Sequence, residues 1–116
     1  MKLINKTKNL VIAEDVKVYR NLFDRFKGLM FSNLGGNKAV ILESQKESID
    51  LASIHTCFVF FPLSVIWLDK DFKVVDVKLN IRPFSLLIKP QKAAKYVVEM
   101  KKDNLNVDLG NILELR

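Results

Sequence analysis

From Cys57 to Leu68 the chain reads CFVFFPLSVIWL, and of these 12 residues only Pro62 and Ser64 interrupt the apolar character. Aromatic and β-branched residues fall on both alternating faces of an extended chain, the pattern of a strand covered on two sides. The run is well short of the roughly 20 apolar residues that span a bilayer. It therefore belongs in an interior, and Pro62, which cannot donate to a ladder, places a break, bulge or turn within it. Residues 52–69 are read as buried strands central to a sheet.

The neighbouring segments are short and mostly strand-like. Residues 2–7 and 10–19 are expected to be strands, Val16 and Val18 alternating with Lys17 and Tyr19 in the second. Leu22, Phe23, Phe26, Leu29 and Met30 share one helical face; with Asn21 able to cap and Gly28 suited to the end, the spacing predicts a helix of about two turns near residues 21–28. Ala39 to Leu42 reads as a buried strand, and the polar ESQKESID of residues 43–50 as an exposed loop. Asp69, Lys70 and Asp71 make a turn, because Asp bonds its own backbone there. After it Val75, Val77, Leu79 and Ile81 are expected on one face, with Asp76, Lys78 and Asn80 on a wet one. Residues 82–91 carry Pro83 and Pro90 and read as irregular; residues 95–100 and 112–115 are the last strands.

One short helix among seven or eight closely spaced strands predicts a mostly β (α+β) fold, an antiparallel sheet that curls or becomes barrel-like. The connections look too short for crossover helices. With 116 residues and no linker, repeat or biased tract, residues 1–116 are expected to form one small domain. A single Cys makes no internal disulfide, and with one His it falls short of a structural zinc site, so no metal or cofactor is expected. The first residues lack the apolar run of a secretory signal, which points to a cytoplasmic monomer without a membrane role.

His55 and Cys57 lie two apart and would share a strand face. A nucleophile and base pairing needs an orienting third group and oxyanion donors, which the sequence does not supply. Cys57 reads better as a small buried hydrophobe, and His55 as a carbonyl partner or pocket rim. Gly35 and Gly36 lack the Lys and Ser or Thr of a phosphate loop.

Arg25-Phe26-Lys27-Gly28-Leu29-Met30, followed by HTCFVFFPLSVIWLD at residues 55–69, by Tyr96-Val97-Val98-Glu99 and by Gly110-Asn111, resembles domain-of-unknown-function family 192, also catalogued as uncharacterised protein family 0127. That family pairs R-x-x-G-L-M with an H-T-F-F-M-R-F-P-I-D-V-x-F-L-D type segment, a strand ending in Glu and a late Gly-Asp turn. The resemblance covers the chain from about Leu10 onward. It implies a small β-rich domain, a pocket bordered by Arg25, His55, Thr56 and Glu99 with Arg25 and Glu99 as partners, and no established activity, substrate or cofactor. Two departures stand out. Phe60 replaces an Arg and Ser64 an Asp, so both members of an opposite-charge pair are gone together, and the implied pocket would be apolar here.

Charge is unevenly placed. Lys78, Arg82, Lys89, Lys92, Lys95, Lys101 and Lys102 share one window with a single acid, Glu99, so that window holds the whole net charge of +6. Together with Phe84 it forms a candidate nucleic-acid surface, or simply a lysine-coated edge that resists sheet association. The expected function is a non-enzymatic domain binding an unknown ligand or protein partner. The alternatives are nucleic-acid binding through residues 78–102 and, last, a hydrolase with His55 as base.

Overall fold

The computed structural model describes residues 1–20, 37–53, 63–82, 88–102 and 104–116. Eight strands are present: β1 (Leu3–Asn5), β2 (Leu10–Ala13), β3 (Asp15–Tyr19), β4 (Lys38–Ser48), β5 (Leu63–Leu68), β6 (Val74–Ile81), β7 (Ala94–Met100) and β8 (Leu113–Leu115). They form a three-stranded sheet, order β2-β1-β8, and a five-stranded sheet, order β3-β4-β7-β5-β6. The fold is mostly β, as expected. Among the described residues neither sheet closes into a barrel: β3 and β6 remain as edges.

All six residues of β5 are buried, which bears out the reading of the apolar run on its described half. The middle strand is nevertheless β7, bonded to β4 on one side and β5 on the other. One face of the large sheet packs on the small sheet, burying Ile41, Ile66, Leu68, Val98 and Met100 against Leu3, Ile12 and Leu113. The opposite face gathers Val40, Leu42, Leu63, Val65, Trp67 and Val97, with Ala52 and Ile88 packed against it. Trp67 is fully buried, and its indole N–H donates to the Ala52 carbonyl at 2.8 Å.

Several expectations need correction. The strand read over residues 10–19 is two strands in two sheets, separated at Glu14, whose N–H, with that of Asp15, donates to the Asn37 carbonyl. The polar stretch expected as a loop after Leu42 continues β4 as far as Ser48, because Glu43 still pairs with Tyr96 and Ser48 with Ala94. A strand end leaving the core becomes polar without leaving the ladder. The sheet is not wholly antiparallel either: β3 and β4 run parallel, Asp15 to Lys38 through Tyr19 to Leu42. Their connection, residues 20–37, exceeds the dozen residues a crossover requires.

β6 does not keep one alternation. Register shifts beside Trp67/Leu68 and Leu63/Val65 turn Val75 and Ile81 to the Trp67 side and Val77 to the small-sheet side. Asp76 is consequently buried and Leu79 is 52% exposed, the reverse of the expected wet and dry faces. The Asp69 turn forms as read: Oδ1 accepts the N–H groups of Asp71 and Lys73, both at 2.9 Å. The helix expected over residues 21–28 lies outside the described residues.

Candidate functional site

Of the pocket residues proposed from sequence, Glu99 is described; Arg25, His55 and Thr56, with Cys57, Phe60 and Phe84, lie outside the described residues. Glu99 is 0% exposed on the middle strand. Register fixes its surroundings. Lys17, Val40, Glu99, Val65 and Lys78 form one continuous row across all five strands. Residues aligned this way point to the same face, so the carboxylate shares the face of Val97, Leu42 and Trp67. Lys17 and Lys78 each stand two strands away, about 10 Å at the backbone.

Next along that face, Tyr19, Leu42, Val97, Trp67 and Asp76 make a second row. Asp76 is already committed: one carboxylate oxygen accepts the Val77 N–H at 2.9 Å and the other the Gln91 N–H at 2.8 Å. It anchors the loop after Ile88 rather than pairing with Glu99, which lies roughly 12 Å away between Cα atoms by strand spacing. Lys78 arches over the Trp67 ring at 5.8 Å and donates to the Lys89 carbonyl at 3.0 Å. Ser64 faces the other way. It pairs with Met100, is buried, and its hydroxyl accepts the Asn80 N–H at 3.3 Å. An Asp at position 64 would thus lie on the opposite side of the sheet from Glu99.

The described residues of the basic window are spread along β7. Lys89, Lys92 and Lys95 lie before and at the start of β7, whereas Lys101 and Lys102 follow its end, about 20 Å further on. Arg82 sits at that second end, since Ile81 pairs with Leu63 and Met100 with the adjoining Ser64. Several charges are already engaged: Lys89 lies 3.7 Å from Asp50, and Lys95 lies 5.7 Å above the Tyr96 ring.

One polar cluster went unread in the sequence. Asn5 is fully buried; its Nδ2 donates to the Asn106 carbonyl at 3.0 Å and to Asn111 Oδ1 at 2.9 Å, and its Oδ1 accepts the Lys8 N–H at 3.2 Å. Asn111 Oδ1 also accepts the Asp108 N–H at 2.9 Å. Gly110, at φ 89°, makes the turn. Asn5 lies over 100 residues from Asn106 and Asn111, so no local spacing announces their contact. Among the described residues no three His, Cys, Asp or Glu side chains gather as metal ligands, and no helix is long and apolar enough to cross a membrane.

Residues 3–113 match the model of DUF192, described as uncharacterized ACR. A UPF0127 protein of Thermococcus sibiricus is 36% identical over 115 residues, covering 97% of this chain and 73% of that one. A UPF0127 protein of Pyrococcus abyssi is 34% identical, covering 97% and 95%. The fold is similar to a crystal structure of a protein of unknown function from Novosphingobium aromaticivorans, with a TM-score of 0.82 and 18% identity over 98% of this chain and 82% of that one.

Proposed function

We propose that this chain, which belongs to domain-of-unknown-function family 192, is a non-enzymatic binding domain that takes a small, largely apolar ligand carrying an N–H or ammonium group. Glu99 supplies the recognition. The observation behind this reading is a fully buried carboxylate on the middle strand, flanked directly by Val40 and Val65 and, one row along, by Leu42, Val97 and Trp67. Burying a charge is costly, and hydrophobic residues of similar volume often serve stability as well or better. A carboxylate kept there is better explained by recognition than by cohesion. It offers about four acceptor positions, so it can serve a ligand beside its protein contacts. Acid/base chemistry by a carboxylate pair gains no support, since both oxygens of Asp76 hold backbone N–H groups. The lone cysteine supports the cytoplasm as the place of action.

The test is an amide NMR titration with butylamine, phenethylamine and benzamidine, using acetate and benzoate as controls. At least one cation should bind saturably, move the amide signals of Val40, Val65 and Glu99, and bind Glu99→Gln at least tenfold more weakly. Trp67 fluorescence verifies that the variant is folded; Val65→Leu, which crowds the same face, is the second variant and should also weaken binding. No binding by any of the three, or unchanged binding to Glu99→Gln, refutes the reading.

A further inference from the structure

Three of the bonds made by the buried Asn5 and Asn111 end on one groove. β6 is an edge strand of the large sheet, and a groove of about 290 Å³ lies between its open side and residues 104–108, with Lys8, Val77, Leu79, Asn104, Asn106 and Asp108 among the lining residues. Asn5 accepts the Lys8 N–H at 3.2 Å and donates to the Asn106 carbonyl at 3.0 Å, while Asn111 accepts the Asp108 N–H at 2.9 Å. Asn106 itself stands in the left-handed region, at φ 52°, which asparagine tolerates. A buried amide pair that spends its bonds on three backbone points of one groove fixes the groove before any ligand arrives, and such preorganisation is what binding requires. Val77 packs toward the small sheet, so the groove stands apart from Glu99 on the opposite face.

The side chains so placed carry both signs of charge. Lys8 Nζ and Asp108 Oδ2 stand 2.6 Å apart, and a pair this exposed contributes little to stability and is readily exchanged for other partners. Asn104 and Asn106 add carboxamides that donate and accept, and Leu79, half exposed, adds an aliphatic surface. Charge selects among ligands. A lone anion beside Lys8 would face Asp108 and a lone cation beside Asp108 would face Lys8, whereas a molecule with both charges satisfies the two at once. We propose that this groove is a second small-ligand site and takes a free α-amino acid with an aliphatic side chain. The carboxylate of the ligand pairs with Lys8, its ammonium with Asp108, and its side chain covers Leu79.

Amide NMR titration tests this with leucine, with leucinamide, which lacks the carboxylate, and with isocaproate, which lacks the ammonium. Leucine should bind saturably, move the signals of Val77, Leu79 and residues 104–108, and bind there at least fivefold more tightly than either analogue. Lys8→Gln should bring leucine down to the level of leucinamide, and Asp108→Asn to that of isocaproate. Both side chains are exposed, and the bonds to Asn5 and Asn111 run through the backbone, so both variants should fold, which Trp67 fluorescence verifies. Absence of saturable shifts at these amides, equal binding of the three compounds, or leucine binding unchanged in Lys8→Gln and Asp108→Asn overturns the proposal. Leucine that moves Val40, Val65 and Glu99 instead is held at the Glu99 site and equally overturns it.

Discussion

Asn5, Gly110 and Asn111 show how single residues hold the small sheet to the large one. Asn5 spends three hydrogen-bonding positions in a site without water access. Asn5→Ala leaves the Asn106 carbonyl and Asn111 Oδ1 without that donor, and should cost about 3 kcal/mol in urea denaturation. Asn111 acts in those side-chain bonds as an acceptor, so Asn111→Asp should stay within about 1 kcal/mol of the parent, whereas Asn111→Ala should approach the Asn5→Ala loss. The Gly-Asp turn of the family, which this chain replaces with Gly-Asn, fits the same geometry. At Gly110 a Cβ would meet nothing within 4 Å, so Gly110→Ala should lose about 1–2 kcal/mol from its backbone alone. A cost well above that range would mean the site is more crowded than its geometry shows.

Elements differ in how firmly they are held. β7 is bonded on both sides and buries Val97, Val98, Glu99 and Met100 completely, whereas β3 has one neighbour and β1 is three residues long. Native-state hydrogen exchange should therefore find the slowest amides at Val97 and Val98 and much faster exchange in β3. Equal protection in the two would contradict the sheet order. Trp67 ties β5 to the segment before it through the Ala52 carbonyl, which Trp67→Phe leaves buried without its partner; that variant should cost about 2 kcal/mol or more. The sequence carried the existence of most strands well, since β-branched and aromatic runs mark buried strands wherever they occur. It carried their boundaries poorly at Glu14 and Ser48, where pairing with distant partners decides whether a polar residue stays in a ladder. β6 was misread for a related reason: period two holds only while the register does, and two shifts reverse its faces.

At the scale of the whole molecule, the excess of +6 that lies in one sequence window is divided in space. β7 carries its two ends about 20 Å apart, twice the Debye length at 0.1 M salt. The two groups of cations should thus act separately. We expect single-stranded RNA of 20 nucleotides to bind weakly at 50 mM NaCl and below detection at 200 mM in a filter-binding assay. Tight binding that survives the higher salt would favour the nucleic-acid reading. Packing one sheet on another also gives the large sheet two apolar faces, and Glu99 sits on the one away from the small sheet. Its partners within the chain were not derivable from spacing, because strand order, rather than sequence distance, sets who stands beside it.

Composition and periodicity, which each residue carries with it, sufficed to establish a β-rich chain with a dry middle and no internal disulfide, and the ordered motifs at residues 25–30, 55–69, 96–99 and 110–111 carried the family resemblance. Strand order, the parallel β3–β4 pair, the row that encloses Glu99, the separation of the lysines and the open side of β6 arose only on folding. Those features depend on contacts between residues far apart in the chain, and hydrogen bonding across strands is indifferent to the side chains that local patterns record.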